Sequence, residues 1–225
     1  MNYKTVSQTF AALFTAVLMV LTSSCKKDNG PDKITDGDGN EYTTVTVGTQ
    51  VWLTSNIKSL TLNDGTDISN VSLSTEWKGL TTPAYCYYDN SSANKDTYGV
   101  LYNWYVVSTG KLCPDGYHVP TSDEWNTLST ALGVNAGGAM KATTLWNAPN
   151  TGATNSSGFT AIPAGCRMDN DAALFYYKGE QAVFWCAMQT GVGNADAYYV
   201  EYNNSTLQSY EYSKTLGASV RCIKD

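Results

Sequence analysis

Histidine is almost missing from this sequence: His118 is the single one among 225 residues. A Ser-His-Asp triad would have to use it, yet it stands between Tyr117 and Val119, just ahead of Pro120, and no Gly-x-Ser-x-Gly elbow accompanies it. It reads as a ring that packs and hydrogen-bonds near a helix start. After Cys25, no two cysteines form a Cys-x-x-Cys pair or lie near that histidine at zinc-finger spacing, so a metal cluster is disfavoured and no cofactor is expected. Charge is also thin, 15% of the chain against roughly 25% in an average soluble protein. The formal net charge is −6, which disfavours nucleic acid, whose affinity rests on basic side chains displacing counterions. The apolar run Phe10–Leu21 is too short to cross roughly 30 Å of hydrocarbon at 1.5 Å per residue, and no later run replaces it.

What is present begins with that run. Lys4 precedes it, and Thr22, Ser23 and Ser24 close it before Cys25, the layout of a signal peptide over residues 1–24. A cysteine directly after Leu-Thr-Ser-Ser, followed by Lys26, Lys27 and Asp28, resembles a bacterial lipobox, which implies lipidation of Cys25. The expected protein is therefore exported and anchored to a membrane through its N-terminal lipid, at the outer membrane or cell surface. Residues 25–40 are polar and rich in Asp, Gly and Lys, and read as a flexible tether. Residues 41–225 are enough for one domain with a real core.

Within the tether, Asp36-Gly-Asp-Gly-Asn-Glu41 places carboxylates at alternate positions. Val47 stands where an EF-hand needs its twelfth-position acid, so a solvated turn is expected and no metal is assigned. Glu41–Leu53 alternates apolar and polar residues around Gly48-Thr49, as a hairpin does. The best-marked helix starts after Thr121, with Glu124 at capping-box spacing, Trp125, Leu128 and Leu132 at helical spacing, and Gly133 as its stop. A shorter helix is expected over Ala139–Thr144. From Phe159 onward, short apolar stretches separated by Gly, Asn and Asp read as antiparallel strands: Phe159–Ile162, Leu174–Tyr177, Ala182–Ala187, Ala197–Tyr202 and Ala218–Ile223. The fold class is α+β, one domain, with one defined amphipathic helix at about 121–132 plus short strands.

Several motifs, in order, resemble one known family. They are Asp38-Gly-Asn-Glu-Tyr42, Gly48-Thr-Gln-Val-Trp52 with Asn56, Gly99-Val-Leu-Tyr-Asn-Trp104, and Leu112-Cys-Pro-Asp-Gly-Tyr-His-Val-Pro120 leading to Glu124-Trp125. They continue with Asn155-Ser-Ser-Gly-Phe159, Ile162-Pro-Ala-Gly165, Arg167, and the terminal Ser219-Val-Arg-Cys-Ile-Lys-Asp225. Together they resemble the Fibrobacter succinogenes major paralogous domain from about residue 38 to the end. The resemblance implies an exported or surface lipoprotein of unestablished activity, with a C-type-lectin-like fold shared with formylglycine-generating enzymes. It also implies a disulfide between Cys113 and Cys222. Cys166 and Cys186 depart from the family's usual residues and are expected as a second bridge, leaving Cys86 unpaired.

The remaining signal is aromatic: six Trp and sixteen Tyr against five Phe. Tyr and Trp stack on apolar surfaces while keeping a polar handle wet, which suits a binding surface. Trp104, Trp125 and Trp185 lie in apolar patterns and are assigned to the core. Trp77, Trp146, Tyr176 and Tyr177 lie near turns and are the ligand-binding candidates, with Tyr87 and Tyr88 nearby. Asp123 and Glu124 are the most visible carboxylate pair, but adjacent helix residues point to different faces and Glu124 serves the cap, so no catalytic residue is assigned. Trp146-Asn147 is followed by Ala148, which breaks the calcium-dependent sugar motif of lectins. The expected function is non-catalytic binding of a glycan or an envelope protein. The alternatives are an assembly role in the envelope and, more remotely, thiol chemistry of the formylglycine-generating type at Cys166 and Cys186.

Overall fold

The computed structural model describes residues 34–169 and 174–225. Cys25 and the signal segment lie outside these residues. Among the described residues, no helix is long and apolar enough to cross a membrane.

The chain opens with β1 (Ile34–Thr35), β2 (Glu41–Tyr42), β3 (Thr44–Val47), β4 (Gln50–Leu53) and β5 (Ser69–Asn70), then α1 (Ser74–Trp77) and β6 (Ala84–Cys86). Next come α2 (Lys95–Tyr98), β7 (Leu101–Tyr102), α3 (Trp104–Val107), β8 (Tyr117–His118), α4 (Ser122–Leu132) and α5 (Ala136–Met140). The final third is β9 (Ala164–Arg167), β10 (Phe175–Lys178), β11 (Gln181–Gln189), β12 (Asn194–Glu201), β13 (Gln208–Ser213) and β14 (Ile223–Lys224). The class is thus α+β, dominated by sheet. The strands form sheets of order β1-β2, β3-β4-β14-β8, β5-β6-β7 and β10-β9-β11-β12-β13.

Local signals act where they are expected. β3 and β4 form the hairpin around Gly48-Thr49. In α4, Thr121 accepts from the Glu124 amide while the Glu124 carboxylate accepts from the Thr121 amide, a complete capping box. Trp125 and Leu128 are buried, and the Trp125 ring stacks on Tyr198 of β12 with centroids 5.1 Å apart.

Other expectations need correction. Ordered pairing begins inside the expected tether, at Ile34 opposite Tyr42. The Asp36 turn is docked rather than solvated: Asp36 is buried and its carboxylate accepts from the Tyr42 hydroxyl at 2.7 Å. The sheets are not purely antiparallel, since β9 runs parallel to β11 and β5 parallel to β6. Phe159–Ile162 is no strand; the Thr160 amide donates to Asn155 Oδ1 at 2.9 Å, and Thr160 takes a φ of 57°, which diverts the backbone from extended form. The short second helix lies earlier than expected, at Ala136–Met140.

The expected last strand, Ala218–Ile223, is instead a cable touching three sheets. Ala218 bridges Tyr102, Ser219 accepts from the Trp185 amide, Val220 accepts from the Ile57 amide, and Ile223 pairs with both Trp52 and His118. Cys222 on this cable is bonded to Cys113, with Cα atoms 6.0 Å apart and a sequence separation of 109.

Four buried cations stitch the irregular segments together. Lys141 Nζ donates to the carbonyls of Thr151, Glu201 and Asn204 at 2.9, 2.7 and 2.8 Å. Arg221 donates to the carbonyls of Leu53, Phe159 and Thr160 and to Asn56 Oδ1. Arg167 reaches the Val71 and Ser72 carbonyls, and Lys214 reaches Gln189 Oε1 and the Val192 carbonyl. Loop carbonyls outside any sheet ladder still need donors, and a cation supplies several at once. Each of the four also lies over an aromatic ring, Trp146, Phe159, Trp77 and Trp104 respectively, at 4.3–5.4 Å.

Candidate functional site

The five-stranded sheet separates two buried clusters, and the two-residue period of β11 and β12 sends alternate side chains to each. Ala182, Phe184, Cys186, Tyr198 and Val200 pack with Trp125 and Leu128 of α4 on one side. Val183, Trp185, Ala195, Ala197 and Cys166 face the other. This alternation corrects the expected Cys166–Cys186 bridge: both thiols are free and buried. They point to opposite faces. In addition, β9 and β11 are aligned by Ala182 opposite Gly165, which leaves Cys186 three residues beyond the neighbour of Cys166, roughly 10 Å along the strand. Burial pushes the Cys166 thiol up to about 12, and Cys186 is raised from the same cause. Thiols held apart and protonated cannot act as a reactive pair.

The four aromatic candidates do not come together. Trp77 is a correction: it is fully buried, its indole N–H donates to the Thr215 carbonyl at 2.7 Å, and its face carries the Arg167 guanidinium. A desolvated guanidinium needs a π face, and Trp77 supplies it. Trp146 is half-buried, packs against the α4-side cluster and donates to the Ala161 carbonyl at 3.1 Å. Tyr176 and Tyr177 are exposed, at 37% and 40%, with ring centroids 5.9 Å apart. Tyr87 is half-buried and Tyr88 buried.

Tyr176 belongs to a larger array. Tyr176 pairs with Cys166, Val183 with Tyr199, Tyr199 with Gln208, Ala197 with Tyr210 and Ala195 with Tyr212. Residues opposite one another share a face, so Tyr176, Tyr199, Tyr210 and Tyr212 all lie on the Cys166 side of the sheet. Tyr210 is 61% exposed, and its ring meets Tyr212 edge-on at 4.9 Å. The small residues Ala195 and Ala197 beneath them leave room for the rings to lie over the strand.

The Tyr177 backbone adds to this. Its φ of 67° lies in the left-handed region, at a cost of about 1–2 kcal/mol for a bulky residue. Gly165, opposite, makes the kink possible: a Cβ there would lie 2.3 Å from the Tyr176 carbonyl oxygen and 2.8 Å from the Tyr88 ring. The kink brings Tyr177 beside Tyr176 and turns Lys178 over Tyr88 and Tyr98, at 5.0 and 5.5 Å.

A polar network lies among the tyrosines. One Glu201 carboxylate oxygen accepts from Gln181 at 2.7 Å and the other from Gln208 at 3.1 Å, while Gln208 Oε1 accepts from the Tyr199 hydroxyl at 3.3 Å. Asn194 donates to Glu211 at 2.7 Å on the opposite side of the sheet, where Glu211 pairs with Asp196. Each carboxylate oxygen keeps a lone pair beyond the one its amide uses. Burial is the first cause that raises the Tyr199 and Tyr212 hydroxyls, so both stay protonated donors. Sequence reasoning missed Tyr199, Tyr210 and Tyr212, although Ser209-Tyr-Glu-Tyr-Ser213 has the two-residue period of a half-exposed strand.

Elsewhere, His118 has both ring nitrogens engaged, Nδ1 with Asp225 at 2.7 Å and Nε2 with Glu124 at 2.9 Å. Burial would lower its pKa, but the Asp225 and Glu124 carboxylates outweigh this and the pKa is raised. The ring thereby ties the chain end to the cap of α4. Cavities of about 250 and 180 Å³ flank the disulfide, the first lined by Asp36, Asn63 and Asp115 among others, the second by His118, Thr121 and Ala187. Among the described residues, no three or more His, Cys, Asp or Glu side chains are placed to hold a metal ion.

A family model described as Fibrobacter succinogenes major domain matches residues 45–224, well over half of the chain. No curated protein and no solved structure matches the chain.

Proposed function

The chain belongs to the Fibrobacter succinogenes major domain family, and from that premise we propose that it is an exported lipoprotein that binds a ligand without transforming it. The signal-like residues 1–24 direct export, and lipid on Cys25 holds the protein at the outer membrane or cell surface. The domain then presents its tyrosine face to a glycan or an envelope protein. The low charge of the chain and a disulfide that needs an oxidising compartment support the location. The C-type-lectin-like architecture is part of this reading, supported by a long helix packed on a sheet and a disulfide from the loop ahead of that helix to the terminal cable.

The observation that carries the binding role is the tyrosine face itself. Tyr176, Tyr199, Tyr210 and Tyr212 share one side of a sheet with a fixed carboxylate–amide network, and a bulky residue at positive φ places a fifth ring beside them. Backbone strain at an exposed aromatic persists only where surrounding structure holds it, and such strain clusters at ligand sites. The test screens the intact protein against glycans and purified envelope proteins, beside a Tyr199→Ala/Tyr210→Ala variant. Binding lost in the variant with thermal unfolding unchanged is the expected outcome. Equal binding by both proteins would refute the assignment.

A further inference from the structure

We infer that β13 pairs with the β13 of a second copy of this chain, antiparallel about a two-fold axis at Tyr210, so that two five-stranded sheets join into one. This goes beyond the binding role proposed above and does not depend on it. β13 ends the sheet order β10-β9-β11-β12-β13 and so has a strand, β12, on one edge alone. The register tells where its backbone groups point. Asn194 lies opposite Ser213, so Lys214 lies opposite Gly193, and the Lys214 amide donates to the Gly193 carbonyl at 2.8 Å. Hydrogen-bonded pairs alternate along an antiparallel ladder, so Gln208, Tyr210 and Tyr212 turn their N–H and C=O groups to β12. The other ladder of β12 agrees. There the Tyr202 amide donates to the Glu180 carbonyl at 2.8 Å, which assigns Tyr198 and Val200 to β11 and leaves Ala195, Ala197 and Tyr199 for β13. The N–H and C=O groups of Ser209 and Glu211 therefore point away from the sheet, and none of them is hydrogen-bonded among the described residues.

The backbone of another extended strand matches an outward row of this kind, and proteins that keep such an edge single protect it with proline, lysine or a bulge. β13 has neither proline nor lysine, and its register with β12 runs without a bulge from Asn194–Ser213 to Tyr199–Gln208. Ser209, Tyr210 and Glu211 are all exposed. A second copy fits because the strand is complementary to itself. Outward residues must meet outward residues, which leaves two antiparallel two-fold registers near the middle of the strand, one centred on Tyr210 and one on Glu211. The second sets two Glu211 carboxylates directly opposite each other, which is unfavourable. It also spends Ser209 on Ser213, whose carbonyl already accepts from the Leu216 amide. The first sets Ser209 opposite Glu211 twice, for four backbone hydrogen bonds, and Tyr210 opposite its own copy. Residues directly opposite share a face, so the Ser209 hydroxyl of one copy meets the Glu211 carboxylate of the other on the α4 side, where Asn194 donates to one oxygen only. The exposed Tyr210 rings meet on the Cys166 side. Glu211 thereby selects the register.

The test combines sedimentation and cross-linking of the full-length protein in mild detergent. One strand pair is a small contact, so the dimer should appear only well above about 1 μM, the weak end for larger interfaces, and concentrations up to about 1 mM are covered. Glu211→Pro removes an outward N–H and none that β12 uses, a place where an edge strand tolerates proline. By symmetry it deletes two hydrogen bonds per dimer, and should raise the concentration of half-dimerisation about tenfold or more with circular dichroism unchanged. Should that variant fail to fold, Tyr210→Lys leaves the backbone alone, sets like charges across the axis and should weaken the dimer likewise. Cross-linking fixes the register. Opposed non-hydrogen-bonded residues have Cα atoms about 4.5 Å apart, within disulfide range, so Tyr210→Cys should give a covalent dimer on mild oxidation. Gln208→Cys should not, because the two copies of position 208 would lie four residues apart along the strands, roughly 13 Å. The native chain beside them reports any cross-link through its own cysteines. A protein that stays monomeric to about 1 mM overturns the inference. So does a dimer indifferent to both Glu211→Pro and Tyr210→Lys, or one that cross-links at position 208 as readily as at 210.

Discussion

Breaking the Cys113–Cys222 bond tests how the fold is held together. The bond closes a loop whose ends are separated by 109 in sequence and joins the segment ahead of α4 to the terminal cable. In the chain-entropy treatment a loop of that length restrains the unfolded chain by about 4.7 kcal/mol. The cable does not depend on the bond for its native contacts, because Ala218, Ser219, Val220 and Ile223 are each hydrogen-bonded or paired to a different segment. Reduction should thus leave the native structure in place and act by releasing the unfolded state. For a domain of this size about 1 kcal/mol moves the midpoint by 2–4 °C, so the Cys113→Ser/Cys222→Ser variant should melt roughly 10–15 °C below the native protein. Circular dichroism with and without reductant measures this, and a thiol count in denaturant accompanies it. Of the five domain cysteines, only Cys86, Cys166 and Cys186 should titrate before reduction. A midpoint within about 2 °C of native after verified reduction would refute the chain-entropy reasoning. Loss of native secondary structure at low temperature would show that the cable needs the bond directly.

Lys141→Met keeps most of the side-chain volume but removes the donor to three carbonyls. Three carbonyls around this fully buried site then lose their charged donor, so a loss of about 2–4 kcal/mol is expected in urea unfolding, and a change under 1 kcal/mol would deny the cation its stitching role. His118 follows from its raised pKa. A raised native pKa means that its contribution is fully present below the unfolded value near 6.5 and disappears as pH climbs through the higher native value. His118→Gln should therefore cost stability at about pH 6 and cost less by about pH 9, with the difference under about 1 kcal/mol because the ring and both carboxylates are partly exposed. A cost that grows with pH would contradict the assignment. Trp77→Ala should lower stability by about 3–5 kcal/mol, as expected for emptying a buried aromatic site, and a variant that unfolds like the native protein would restore Trp77 as a surface residue.

The sequence by itself determined the features that depend on near neighbours. The capping box of α4 needs only Thr121 and Glu124 three residues apart, and the β3–β4 hairpin needs only a tight turn between alternating strands. The burial of Trp104, Trp125 and Trp185 followed from their apolar settings, and the family was legible from motifs spread along the chain in order. Tertiary structure alone decided which rings face solvent. Trp77 lies near a turn, as an exposed residue would, but its place is set by Arg167, ninety residues away in sequence and in need of a π face. The thiols of Cys166 and Cys186 look like neighbours until the parallel register of β9 and β11 assigns them to opposite sides. The tyrosine face is of the same kind: Tyr176, Tyr199 and Tyr210 come from three strands, and only the pairing between those strands tells which side each one takes. A shift of one residue in any register would reverse the side, and register is fixed by contacts between distant segments that no local pattern encodes.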